Sequence, residues 1–291
     1  MKHQGLITSS YGRMYKVLVG DTYYHGVTKA KKSDYVVGDY VLVDIINQEQ
    51  AQITDLIPRN SLIYRSDRYK SKQIASNVDQ IIVVTSVTPN YNLDFISNSL
   101  IFAESECISV LLVVNKSLLN ESKEYIALIN ELYGSIGYLV VTLNGIDSVD
   151  ALIPLIKNKT NVLIGQSGVG KSTITNQLLQ KKSAKTNDIM KSHNSGKHTT
   201  TNANLYFIDN ETKIIDCPGL QEFGLYHLEH DRLIEYFPEF KKYIGQCKFA
   251  NCKHIEEPNC IIRELFTNNL VSKYRYEYYV RLYTSLRPII K

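Results

Sequence analysis

Eight consecutive residues, Gly165-Gln166-Ser167-Gly168-Val169-Gly170-Lys171-Ser172, constrain this chain more than any other stretch. They match the full phosphate-binding loop pattern and sit after an apolar strand-like run, Asn161–Ile164, and before a helical one that starts at Lys171. The chemistry requires these residue types. Glycines let successive backbone N–H groups curl around phosphate oxygens, and the start of a helix adds its positive end. Lys171 supplies a point charge to the β- and γ-phosphates, and the Ser172 hydroxyl binds Mg²⁺. Thr173 completes the nucleotide-contacting set. A strand, this loop and a helix also commit the region to an α/β sheet.

Two further stretches extend the reading. Asp216-Cys217-Pro218-Gly219 closes the strand Lys213-Ile214-Ile215, about 45 residues beyond the loop. There the carboxylate can hold Mg²⁺ through water while the Gly219 N–H reads the γ-phosphate. Between the two lies Gly196-Lys197-His198-Thr199-Thr200-Thr201, a polar switch candidate whose Thr200 can reach Mg²⁺. Three parts in this order describe a GTPase-type switch. The glutamine that often orients the attacking water after Asp-x-x-Gly is replaced by Leu220, so His198 is the candidate for that task. A surface histidine in a loop is the plainer reading of the same residue.

The base reader stands in an unusual place. Asn115-Lys116-Ser117-Leu118 precedes the phosphate loop and follows the strand Val110–Val114, and Val141-Thr142-Leu143-Asn144 occupies the position of a second base-contacting loop. The order of elements is rotated, and this resembles the circularly permuted GTPases. A small β-barrel pattern before the core and Cys-x4-Cys-x-His-x5-Cys after it look like the ribosome small-subunit-dependent GTPase A (RsgA) family. That resemblance covers nearly the whole chain. It implies a GTP hydrolase that acts late in small ribosomal subunit maturation, binds rRNA, and leaves after hydrolysis. The implied partners are the small ribosomal subunit and GTP or GDP, with a monomer in the cytoplasm and no membrane contact. Leu118 departs from the family pattern, where an aspartate accepts two hydrogen bonds from guanine; leucine accepts none. The rival reading is a weakly catalytic or non-catalytic, nucleotide-gated RNA-binding module. A metabolic P-loop kinase is a third option, for which no acceptor-substrate site stands out.

The flanks complete a multidomain plan. Residues 1–70 carry short alternating runs (Val17–Val19, Tyr35–Val37, Tyr40–Val43, Ala51–Ile53) punctuated by glycines, which predicts an OB-like β-barrel. Residues 71–225 alternate strand and helix and form the permuted GTPase domain. Residues 226–291 return to helical spacing (Leu228, Leu233, Ile234, Phe237) around a metal cluster. Cys247, Cys252, His254 and Cys260 are a Cys₃His set, the ligand type of a closed structural Zn²⁺ site. Cys107 and Cys217 read as small core residues. The tyrosine-rich run Tyr274–Tyr283 predicts a helix that packs on its neighbour, with base stacking as the alternative.

Charge adds one point. The chain is +4 overall, but residues 1–32 carry +5 and residues 273–291 carry +4, leaving −5 for the middle. Basic ends on an acidic centre fit flanks that touch a polyanion, with Lys29, Lys31 and Lys32 in a barrel loop; solvated surface lysines are the bland alternative.

Overall fold

The computed structural model describes residues 2–12, 14–28, 34–66, 71–89, 91–144, 149–186, 203–217 and 223–286, with the backbone alone for 182–186. Lys29, Lys31 and Lys32 lie outside the described residues.

Alternating side chains in the first five strands close a barrel. They are β1 (Lys2–Tyr11), β2 (Met14–Val19), β3 (Thr22–Thr28), β4 (Tyr40–Ile45) and β5 (Gln50–Leu56), in the order β1-β2-β3-β5-β4 with β4 pairing back onto β1. Ile7, Tyr15, Val17, Val41, Val43, Ala51 and Ile53 fill it. This is the closed five-stranded OB-like barrel that the period-two pattern predicts. One expected strand differs: Tyr35–Val37 is not part of the barrel wall, and Val37 instead bridges to Ala75. Its partner belongs to a hairpin, β6 (Leu62–Ser66) and β7 (Ser71–Ser76), which the weakly patterned polar sequence there did not announce. The fully buried Asp39 holds the two together: its carboxylate accepts from Arg59 Nε at 2.7 Å, Arg59 Nη2 at 2.8 Å and Ser76 Oγ at 2.6 Å. Such bidentate, charge-assisted pairing is what lets a carboxylate remain buried.

The central sheet runs β10-β9-β8-β11-β13-β12. Its strands are β8 (Gln80–Thr85), β9 (Ser109–Val114), β10 (Leu139–Thr142), β11 (Thr160–Ile164), β12 (Asn204–Phe207) and β13 (Lys213–Asp216). The first five in that order are parallel, and β12 runs antiparallel to β13. Successive residues of β8 serve opposite faces: Ile81 and Val83 join one core, Ile82 and Val84 the other. Continuous apolar runs therefore mark strands covered on both sides. The crossovers carry α1 (Leu93–Ser105), α2 (Ser122–Leu132), α3 (Ile153–Ile156) and α4 (Lys171–Thr186). Asn92 caps α1 by accepting from the Phe95 N–H at 3.0 Å, a contact worth about 1 kcal/mol. At its other end Cys107 is exposed with φ 55°, so it is a turn residue and not the core residue expected. Cys217 is buried as expected.

Beyond the sheet, Leu228–Phe237 is not an α-helix despite its spacing. It forms a 3-10 segment, His230–Tyr236, which ends where Pro238 holds Phe237 in an extended conformation. Pro238 then starts α5 (Pro238–Lys241), followed by α6 (Ile261–Thr267) and α7 (Lys273–Leu286). On α7, Tyr276, Tyr278, Tyr279 and Tyr283 are buried, so packing rather than base stacking occupies these rings. Arg275 is fully buried too, donating to Glu239 at 2.6 Å and lying over the Phe237 ring at 4.8 Å. Its charge is internal and does not contribute to a basic surface. No helix among the described residues is long and apolar enough to cross a membrane.

Candidate functional site

The phosphate-binding loop leaves β11 at the centre of the sheet. Gly165 has φ 150°, and a Cβ there would lie 2.2 Å from the Val84 carbonyl oxygen on the neighbouring strand. Gly170 has φ 101°, and a Cβ there would lie 2.3 Å from Asn115 Nδ2. Both positions are closed to any side chain, which explains the glycine pattern physically. Gln166 is half-buried, Ser167, Gly168, Ser172 and Thr173 are exposed, and Val169 is tucked into the core beneath the loop. The first turn of α4 carries no acidic residue, which leaves its N-terminal N–H groups and dipole free to favour an anion.

Lys171 turns back over the loop, donating to the carbonyls of Gly165 at 2.7 Å and Gln166 at 2.8 Å. Across from it, Asp216 ends β13 in register with Leu163. Burial pushes the Asp216 carboxyl up, and the Lys171 charge opposes that. Burial likewise pushes the Lys171 ammonium down, opposed by Asp216. The two charges thus face one another in a partly dehydrated site, where added phosphate and cation would interact strongly.

The base-reading candidate meets this loop from the adjacent strand. Asn115 is buried, and its Nδ2 donates to the Val169 carbonyl at 2.8 Å. Its Oδ1 is buried without a hydrogen-bond partner among the described residues, an unused acceptor directly under the loop. Lys116, held at φ 58°, donates to the Gly168 carbonyl at 2.9 Å and to the Thr88 carbonyl at 2.7 Å. Thr88 takes part through its backbone carbonyl, an acceptor that leaves no residue-type signal in a sequence. The Ser117 N–H donates to the Leu143 carbonyl at 3.0 Å, which joins the two expected base loops side by side. Leu118 is 75% exposed and points away from any apolar core. His198, Thr200 and Gly219 lie outside the described residues.

A second centre lies in the C-terminal part. His254 Nδ1 is 3.4 Å from both Cys247 Sγ and Cys260 Sγ, and those sulfurs are 3.9 Å apart. With Cys252, all four donor atoms lie within 4.8 Å of one another. A tetrahedron with Zn–S of about 2.3 Å and Zn–N of about 2.0 Å has edges of about 3.5–3.8 Å, so the donor set fits a closed structural metal site. Tyr276 Oη donates to the His254 carbonyl and Tyr279 Oη to the Lys253 carbonyl, each at 2.9 Å, fixing the knuckle onto α7.

A phosphate loop after β11, a carboxylate on the adjacent β13 and a base loop that precedes both in the chain define a circularly permuted P-loop GTPase. The sequence model of the RsgA GTPase family matches residues 56–226, and the chain belongs to that family. It is 43% identical over 264 residues to the small ribosomal subunit biogenesis GTPase RsgA of Neisseria meningitidis serogroup C, covering 90% of this chain and 86% of that one. The protein of the same name from Nitrosospira multiformis is 39% identical over 285 residues, covering 97% and 91%. Among solved structures, YloQ, described as a circularly permuted GTPase, superposes with a TM-score of 0.73 at 25% identity, covering 99% of this chain and 97% of that one. YjeQ from Thermotoga maritima shares the fold, with a TM-score of 0.76 at 24% identity and coverage of 98% and 99%.

Proposed function

We propose that this chain is a Mg²⁺-dependent GTP hydrolase that acts as a switch in late maturation of the small ribosomal subunit, in the cytoplasm. Family membership supports it, and the observation that carries it is the Asn115–Val169 clamp, which fastens the base loop to the phosphate loop. In this reading residues 1–70 and the zinc module of 226–291 grip rRNA, while residues 71–225 hydrolyse the nucleotide. N–H groups of Gly165–Ser172 bind the phosphates, and Lys171 binds the β/γ oxygens. Ser172 and Thr200 hold Mg²⁺, Asp216 supports it through water, and Gly219 senses the γ-phosphate. When bound, Mg²⁺ supplies positive charge to the leaving phosphate oxygens. Cys247, Cys252, His254 and Cys260 hold Zn²⁺.

Multiple-turnover phosphate release with purified small subunits tests the reading. Stimulated GTP turnover is expected; a nucleotide bound without turnover would overturn it. His198→Ala should keep near-normal GTP and small-subunit binding and lose about tenfold or more of the stimulated rate, equivalent to about 1.4 kcal/mol of barrier. Turnover within about twofold of the parent would remove His198 from the water-positioning role.

The base pocket leads to a second test. Asn115 to Leu118 contact the base, but Leu118 offers no acceptor. GTP should therefore bind better than ATP by a margin smaller than an aspartate would provide. A bidentate acceptor is worth about 2–3 kcal/mol when buried and less at so exposed a position, so Leu118→Asp should widen the margin by about tenfold. Equal affinity for GTP and ATP in a competition titration would sink the guanine assignment.

A further inference from the structure

β12 has a different partner on each side. Its first residue, Asn204, pairs with Asp216 of β13 on one side and with Ser9 of β1 on the other. Among the described residues, the second pairing is the one register pair between β12 and β1. Side chains reinforce that joint. Asn204 Oδ1 accepts from Ser9 Oγ at 2.7 Å and from Tyr11 Oη at 3.3 Å, so one amide oxygen collects two hydroxyls from the barrel strand. Directly opposed residues of an antiparallel pair share a face, so the Asn204 and Asp216 side chains lie together on the face toward the phosphate loop. Tyr206, two residues along the same face, carries the same link. Burial raises its phenol most, and the Asp216 carboxylate and Tyr11 add to that.

We infer that Asn204 couples the barrel to the nucleotide site, joining the strand that ends in Asp216 to the end of β1. The inference rests on the reading above that Asp216 responds to the bound nucleotide. Tyr11 and Met14, which flank the β1–β2 turn, are 47% and 65% exposed. The exposed Tyr11 at the end of β1 is thus tied through Asn204 to the strand beside the nucleotide sensor. A load on the turn shifts Ser9 and Tyr11, their shared acceptor follows, and β12 moves against Asp216. The same path runs in reverse, because coupling between two sites is reciprocal.

Hydrogen exchange on the full chain, with GDP and with a non-hydrolysable GTP analogue, tests the joint without ribosomes. In the parent protein, exchange over residues 6–11 and 14–19 should differ at least threefold between the two nucleotides. Asn204→Ala should abolish that difference while residues 165–172 still respond to nucleotide, which a merely structural lesion would not achieve. Ser9→Ala removes one donor without touching β12 and should act in the same direction, more weakly. In phosphate release, Asn204→Ala should keep unstimulated turnover within about twofold and lose at least fivefold of the small-subunit stimulation. A barrel that ignores nucleotide in the parent, or variants that keep both the exchange difference and the stimulation, would overturn the inference. A parent whose barrel responds but whose turnover is not stimulated by small subunits would refute the proposed function and leave the joint standing.

Discussion

Cys252→Ser is expected to release bound zinc and loosen the chain beyond Gly245 while leaving nucleotide affinity within about twofold. The segment that holds the cluster has little else to order it. Between Gln246 and Cys260 there is no helix or strand, and its polar links are few, among them the Glu257 carboxylate accepting from the N–H groups of Lys253, Ile255 and Glu256, and backbone carbonyls of the segment accepting from Arg263, Tyr276 and Tyr279. A structural zinc contributes on the order of 10 kcal/mol to folding such a segment, far more than those contacts provide. Loosening should spread to α7, whose Tyr276 and Tyr279 hydroxyls bind this backbone. It should stop short of the nucleotide loop. The module packs in the core that contains α1 and Tyr133, whereas Val169 and Ile174 belong to the core on the opposite face of the sheet. Metal analysis should find one zinc per chain in the parent, and hydrogen exchange over residues 246–283 should accelerate in the variant. A metal-free parent that is fully folded would refute the zinc assignment.

Lys171→Ala should weaken GDP and GTP binding by about 10²–10³-fold and reduce hydrolysis to background. The ammonium donates to two carbonyls at the centre of the loop, placing it where the β- and γ-phosphates would lie. A hydrogen bond to a charged group is worth about 1.5–3 kcal/mol, and two phosphates share this one cation. The loss has a second part: Asp216 has Lys171 as its countercharge, so deletion leaves a partly buried carboxylate beside the incoming anion. Lys181→Ala is the matched control. Lys181 lies on the same helix but on its exposed side, bonded to Asp150, and its removal should change affinity less than twofold. A fluorescent-nucleotide titration measures both. Affinity within threefold of the parent in Lys171→Ala would show that the loop does not bind phosphate through this residue.

The parts of the site that were legible in the sequence are those whose chemistry is local. Gly165–Ser172 is readable because its glycines are fixed by their own φ or by one close approach, and its lysine by its own charge. The rotated order was readable because Asn115-Lys116 precedes the loop in the chain, and the structure brings Asn115 to Val169. What stayed hidden depends on distant partners. Thr88 serves through a carbonyl, which any residue has. The β6–β7 hairpin is held by Asp39 and Arg59, and pairs that distant in sequence leave no periodic trace. The role of Asn204 depends on β1, some 195 residues away in the chain, and nothing local to β12 encodes it. Local rules also misled twice: helical spacing at 228–237 belongs to a 3-10 segment that stops before Pro238, and the apolar neighbourhood of Cys107 concealed a left-handed turn.

The run of strands from β10 through β12 into the barrel has a consequence for solubility. An open sheet offers two rows of unpaired backbone groups, each a template for a strand from another chain. Here both rows are short: β10 and β12 have four residues each, and Asn204 of β12 pairs with Ser9 of β1. The barrel itself closes through β1 and β4. A border that short can register few hydrogen bonds with an intruding strand. Brevity at both borders, helped at one by the barrel, therefore shields a highly apolar parallel sheet from edge-to-edge aggregation.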